Sequence, residues 1–440
     1  MPKITLTIPS VLNSGRGEKK LKLDVANLND AFAHACKVMG EDFERRVMES
    51  PGKPRSLINV YINGKNSKFG DGLKSTLSDD DDVYILPAVA GGQEMSAKEM
   101  DRYSRQIMLE EIGYNGQIKL RNARVCVIGV GGLGHPIISR LTAMGIGTLR
   151  IIDRDVVELS NLHRQILFDE SDVGKVKVEA AANKLKKMNS ECKIEVFPVS
   201  INDHTAFEVT KGCDVVIDAL DSVNARYSLN RACSKQKIPF VTGAAVGITG
   251  QVFTIMPDQS ACYHCMFPAL DEDSMPTCSI EGVHPPILSI VGAIQVTEAV
   301  KIILGKKPSL SDRILHIDLE NLDFSFTRTF RQQECPVCGN GKEDLTVPKV
   351  MMIEEMCGRN RGKRTFSLTP PETFALDIPK VSQTATLRGF RVEKQGDMGL
   401  SLRTDDVSVS FMNRGSAVIV GAKDEDIAIK LYCDLLGRAQ

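Results

Sequence analysis

The chain has almost no net charge: 55 basic residues stand against 56 acidic ones, a formal balance of -1. That balance gives no reason to expect nucleic acid or an acidic surface as a partner. No apolar run is expected to be long enough to span a bilayer, and Met1-Pro2-Lys3-Ile4 opens into alternating residues instead of a positively flanked apolar stretch. Neither a membrane span nor a signal peptide is expected, and the cytoplasm is the expected compartment. A disulfide framework is equally unexpected, because twelve cysteines in a reducing compartment read as metal ligands, a catalytic thiol and small buried hydrophobes.

What is present is globular in composition, 42% hydrophobic and 25% charged. At 440 residues the length alone suggests roughly three domains. The expected division is 1–92, 93–345 and 346–440. Alternation predicts strands at residues 3–8 and 20–25, and a helix follows over 29–39. Leu57 to Ile62 runs as a strand into the turn Asn63-Gly64, and Asp82-Val83-Tyr84-Ile85-Leu86 leads into Pro87-Ala88-Val89-Ala90-Gly91-Gly92. Strand, strand, helix, strand, strand is a β-grasp order. The acidic run at 79–82 reads as a solvated turn. Gly91 and Gly92, lacking side chains, suit a tail that threads a narrow channel, and a plain interdomain linker is the other reading.

The stretch Val60-Tyr61-Ile62-Asn63-Gly64-Lys65, with the strand and diglycine that follow, resembles the MoaD/ThiS sulfur carriers. In that family the last glycine is adenylated and then becomes a thiocarboxylate. Here the equivalent carboxylate is an amide to Gln93. The resemblance therefore implies a processing protease that cuts after Gly92, or service to a separate carrier.

Arg124-Val125-Cys126-Val127-Ile128 reads as a buried strand that enters Gly129-Val130-Gly131-Gly132-Leu133-Gly134, then a helix over 135–144, then a strand over 148–152 ending at Asp153. Glycines permit a tight turn and close backbone approach, the helix N-terminus favours phosphate, and the acid can bind ribose. The frame implies a nucleotide without naming it, so a dinucleotide dehydrogenase is the rival class. The next segments, Ser160-Asn161-Leu162-His163-Arg164-Gln165 and Gly174-Lys175-Val176-Lys177, add cations. Positive charge suits a triphosphate losing pyrophosphate better than a hydride donor. A further strand over 213–219 ends near Asp221, at the sheet edge where ligands bind and where an acid can hold magnesium.

Over residues 96–341 these segments resemble the ThiF/MoeB adenylating enzymes, which are similar to the ubiquitin-activating enzymes. The resemblance implies ATP and Mg2+, with Gly132 against the nucleotide and Asp153 on the ribose, while Gly129, Gly131 and Gly134 are candidate nucleotide-binding residues from the loop motif itself. It implies phosphate contacts from Asn161, Arg164 and Lys177, and magnesium at Asp221. Arg102-Tyr103-Ser104-Arg105-Gln106 is similar to the family's arginine segment, so Arg105 is expected to reach the nucleotide of the other subunit of a homodimer. The family usually has Asp-Asn where this chain has Asp221-Ser222.

Cys262-Tyr263-His264-Cys265 and Cys335-Pro336-Val337-Cys338 are two Cys-x-x-Cys pairs. Four thiolates close a tetrahedral Zn2+ shell and leave no place for a catalytic water, so a structural site is expected with His264 a bystander. Cys278 lies in a polar loop after the first pair, where a thiolate can attack an activated acyl carbon or carry a persulfide. Its Pro-Thr-Cys setting resembles the family's acceptor cysteine, although Gly282-Val283 continues into His284-Pro285-Pro286 here. Cys36, Cys126, Cys213, Cys233 and Cys433 read as packing residues. Cys357 precedes a basic run, but the residues after it lack the strand and helix repeat of a rhodanese fold.

Beyond residue 346, alternation predicts strands at 391–394, 400–403, 407–411 and 416–421 and a helix over 425–436. The whole reads as an α/β protein: a Rossmann-like adenylation domain with a structural zinc site, a β-grasp domain before it and a small α+β domain after it. The expected function is ATP-dependent adenylation of the terminal glycine of a ubiquitin-like sulfur carrier, with a sulfur donor as a further partner. Protein conjugation, and a non-catalytic scaffold holding a permanent carrier mimic, are the alternatives.

Overall fold

The computed structural model describes all residues except 10–11, 14–16, 51, 56–57, 68–70, 88–94, 269, 271–280, 342–350, 356–362 and 438–440. Gly91, Gly92, Cys278 and Cys357 lie outside the described residues. The chain forms two compact units, Met1–Lys119 and Leu120–Gln440.

The first unit holds a five-stranded sheet in which Lys3–Ile8 pairs antiparallel with Lys19–Asp24 and parallel with Asp82–Pro87. Asp82–Pro87 pairs antiparallel with Ile58–Ile62, giving the expected β-grasp. The helix Leu28–Met39 starts where the Asn27 side chain accepts the Asp30 N–H at 3.0 Å. It buries Leu28, Ala31, Phe32 and Ala35, one apolar stripe at helical spacing, against the sheet. The acidic run departs from a purely solvated turn. Asp81 is buried, because its carboxylate accepts Asn63 Nδ2–H at 2.7 Å and Ser78 N–H at 2.7 Å, tying the turn at Asn63 to the start of the last strand.

In the second unit an eight-stranded sheet runs Lys193–Phe197, Thr148–Ile152, Arg124–Ile128, Val215–Asp218, Phe240–Val246, Thr249–Ile255, Arg313–Asp318, Asp323–Arg328. The first five strands are parallel and the last three are antiparallel additions. Val125 to Ile128 are wholly buried, as expected of a parallel strand covered on both faces. Arg124–Ile128 comes first in the chain yet sits between Thr148–Ile152 and Val215–Asp218. Successive strands are therefore added on opposite sides of it, and its carboxyl end is a topological switch point.

The expectation that no apolar segment is long enough to span a bilayer is corrected by the helix Pro285–Leu304, which is long and apolar enough by length and composition. Its place in this unit explains the apolarity. It packs on the helix Gly134–Met144 and on Phe240–Val246 and Thr249–Ile255. It also buries two polar side chains with partners: Gln295 donates to the Asp218 carbonyl at 2.7 Å, and Glu298 accepts the Leu310 N–H at 2.8 Å.

The C-terminal part is a six-stranded antiparallel sheet backed by the helices Ile378–Leu387 and Glu425–Leu436. Phe366 and Leu368 on Thr365–Thr369 enter its own core, while Ser367, on the other face, meets Ser200 at 3.5 Å. Ser401 donates to the Gly174 carbonyl at 3.1 Å, and Arg154 pairs with Glu354. This sheet is therefore seated against the segment that leads into Lys177–Met188.

Candidate nucleotide site and four-cysteine cluster

The glycine loop follows Arg124–Ile128, and Gly129 takes φ +97, in the left-handed region that favours glycine. A Cβ on Gly129 would lie 2.5 Å from the Ala219 carbonyl oxygen, and one on Gly134 would lie 2.0 Å from that of Gly129. The loop thus folds flat against the end of Val215–Asp218, two residues before the exposed Asp221. Gly132 lies beneath the Arg164 stem and Leu288, whereas Gly131 has only Gln165 Nε2, at 3.9 Å from a would-be Cβ.

Asp153 ends the neighbouring strand and already has backbone partners. Its carboxylate accepts Val130 N–H at 2.7 Å and Asp155 N–H at 2.8 Å. Burial raises its carboxyl above the ordinary carboxylate range, while Lys177 pulls it down. Lys177, 6% exposed, lies 3.0 Å from Asp155 Oδ2 at the start of its helix. Asp155 therefore holds the lysine beside the expected ribose acid. Lys175 instead pairs with Asp172 at 2.8 Å on a partly exposed side chain, the behaviour of surface charge. Asn161 is buried, and its side-chain oxygen accepts the Glu158 N–H at 3.2 Å, closing the turn that carries Arg164.

Three supporting features had no signal in the local sequence. His135 is fully buried: its Nδ1 accepts the Leu167 N–H at 3.0 Å, and its ring meets Phe168 edge-on at 4.4 Å between centroids. Burial, and then Lys177, lowers its pKa to about 3, so the neutral ring joins the first turn after the glycine loop to the loop carrying Arg164. Asp218, 0% exposed, accepts from Thr242 Oγ1 at 2.6 Å and lies 2.8 Å from Arg226 Nε. Arg226 also donates to the Leu220 and Gly243 carbonyls, fixing the turn before Asp221. Ser222 caps the next helix, accepting the Ala225 N–H at 3.3 Å.

Arg105 is exposed on the helix Ala97–Ile107 of the first unit. That helix starts with a capping box between Ser96 and Glu99.

The four cysteine sulfurs of Cys262, Cys265, Cys335 and Cys338 lie within 4.8 Å of one another. Separations of 3.7, 3.6 and 3.4 Å join Cys262 to Cys265, Cys262 to Cys335, and Cys265 to Cys338. A tetrahedral zinc with Zn–S near 2.3 Å has sulfur–sulfur edges of roughly 3.8 Å, so the donor set and its size suit zinc. His264 points elsewhere, packing on the Tyr227 ring.

The ThiF family profile matches residues 103–337 and the ThiS family profile matches residues 18–92. The chain is 40% identical over 251 residues to the SAMP-activating enzyme E1 of Haloferax volcanii, covering 57% of this chain and 93% of that protein. It is 32% identical to the adenylyltransferase and sulfurtransferase MOCS3 of Culex quinquefasciatus, covering 77% of this chain and 80% of that one. The sulfur carrier protein adenylyltransferase of Thermus thermophilus is 35% identical, covering 59% of this chain and 97% of its own length. Among solved structures, E. coli MccB superposes with a TM-score of 0.50 at 26% identity, over 60% of this chain and 78% of that one. With more than half of its length matched, and a glycine loop, acid and lysine gathered at a switch point, the chain belongs to the ThiF family, with a ThiS-family segment ahead of the ThiF domain.

Proposed function

We propose that this chain is an ATP-dependent adenylyltransferase that activates the C-terminal glycine of a ubiquitin-like sulfur carrier. The observation that carries the reading is the gathering of Asp153, Lys177 and Arg164 around the glycine loop, in a chain whose ThiS-family segment ends at Gly92. Asp153 would take the ribose hydroxyls, and the loop would lie against the phosphates. The carrier carboxylate attacks the α-phosphorus, an acyl–phosphate bond forms, and pyrophosphate leaves with the bonding pair. Lys177 and Arg164, with Arg105 from a second copy, stabilise the charge that builds on the phosphate oxygens. Asp221 offers an exposed hard oxygen of the kind magnesium takes together with phosphates and water, and the ion would supply further charge neutralisation there.

Cys278 would then act as a thiolate that attacks the acyl carbon, forming a thioester as AMP leaves. In the sulfur-transfer route a sulfur donor first loads Cys278 as a persulfide, and its terminal sulfur attacks the acyl carbon with loss of AMP. A second thiol then reduces the acyl disulfide to release the thiocarboxylate. Thioester on Cys278 would favour conjugation, and thiocarboxylate on the carrier would favour sulfur transfer. The thiolate cluster supports a reducing compartment such as the cytoplasm. Because Gly92 is internal, the fused segment is inert until the bond to Gln93 is cut. Intact masses from the native host should include a fragment ending at Gly92.

The direct test is ATP–pyrophosphate exchange by the full chain with a separately supplied diglycine-tailed carrier. Exchange should depend on that carrier and fall by about a hundredfold or more in Lys177→Ala. A folded protein with no exchange would overturn the proposal.

A further inference from the structure

In the sheet of the first unit, the strands Ile58–Ile62 and Asp82–Pro87 bury side chains on both faces, and only one of these faces meets the helix Leu28–Met39. On the opposite face Tyr61, Tyr84 and Leu86 are 2%, 5% and 3% exposed. They are covered by Met100, Tyr103 and Ile107 of the helix Ala97–Ile107, which are 1%, 4% and 1% exposed. The helix residues recur at i, i+3 and i+7, a single apolar stripe. Contact continues beyond the helix, where the Tyr84 hydroxyl donates to the Met108 carbonyl at 3.4 Å. A Cβ on Gly64 would lie 3.5 Å from Met108 Sδ.

All of these covering residues follow the Gly92–Gln93 bond. We infer that the segment 1–92 remains bound non-covalently to the rest of the chain after that bond is cut, with the helix Ala97–Ile107 as the occupant of its outer face. Desolvated aromatic rings facing a helix stripe are the kind of contact that dominates interface energetics. Cleavage then frees a glycine carboxylate while the carrier stays at high local concentration around its enzyme. The biological use of this contact rests on the cleavage proposed above, but the contact itself does not.

A protease site placed between Gly92 and Gln93 of the full chain allows the test. After cutting, the two pieces should co-elute in size-exclusion chromatography at micromolar concentration. Met100→Glu, on the helix side, should weaken the pair by about tenfold or more. Tyr84→Glu, on the carrier side, should do the same. Leu109→Glu, at a residue 52% exposed just past the helix, should change nothing. Wild-type pieces that separate, or variant pieces that stay together as firmly as wild type, would overturn the inference. The same cut sample is assayed for pyrophosphate exchange. Co-elution without exchange counts against adenylation alone, and exchange by separated pieces counts against this contact alone.

Discussion

Replacing Gly134 by alanine would place a methyl carbon 2.0 Å from the Gly129 carbonyl oxygen and 2.9 Å from its carbonyl carbon. Both are main-chain atoms of the turn that enters the glycine loop. Gly129 cannot easily give way, since a Cβ position on its own far side is 2.5 Å from the Ala219 carbonyl. The clash must therefore be relieved by moving the first turn of Gly134–Met144 away from the strand. Overpacking of this kind costs about 1–3 kcal/mol, and the upper end applies because no flexible side-chain end can yield. For a domain of this size roughly 3 kcal/mol corresponds to a fall of roughly 6–12 °C in melting temperature. Gly131→Ala is the matched control: its new methyl would meet only Gln165 Nε2 at 3.9 Å, so its stability should change by less than about 0.5 kcal/mol. The chain has no tryptophan, so unfolding is best followed by far-ultraviolet circular dichroism. Melting of Gly134→Ala within a degree or so of Gly131→Ala would refute the close-packed loop.

His135 predicts a pH dependence. Its folded pKa of about 3 lies below the ordinary value of 6.5, so between those limits the unfolded chain binds more protons and stability falls as pH drops. The slope approaches about 1.4 kcal/mol per pH unit well inside that window. Urea midpoints measured across it should show His135→Gln losing that part of the slope, and parallel curves would count against the buried neutral imidazole. At the cysteine cluster, one zinc per chain is expected by elemental analysis, and Cys335→Ala should abolish it. Zinc contributes about 10–16 kcal/mol in small structural sites, so the segments around Cys262 and Cys335 should become protease-sensitive; retained resistance without metal would exclude the structural role.

The parts of the site that could be read from sequence are those whose meaning is local. Gly129 to Gly134 follow an apolar strand and lead into a helix, and Asp153 follows the next strand, so the turn chemistry and the candidate nucleotide-binding frame are contiguous in the chain. The two cysteine pairs carry their chelate spacing with them, although the 3.6 Å approach of Cys262 to Cys335 is made by the fold. What stayed hidden depends on which residues meet across the fold. The Asp155–Lys177 pair, the His135–Leu167 bond and the Asp218–Arg226–Thr242 group join segments 22 to 32, 8 and 24 residues apart, and no local pattern announces them. Asp81 looked like surface charge because its partner Asn63 is brought by another strand. The outer face of the first unit's sheet did leave a signal. Val83-Tyr84-Ile85-Leu86 is apolar without alternation, as a strand covered on both faces should be.

Adenylation of a diglycine carboxylate is the reaction proposed for this chain. Its most direct measurement is the intact mass of a free diglycine-tailed carrier after incubation with the full chain and magnesium ATP, without a sulfur donor. A carrier heavier by one adenylyl group on its terminal glycine is expected, with pyrophosphate formed alongside. A carrier of unchanged mass, with ATP converted to ADP instead, would contradict it.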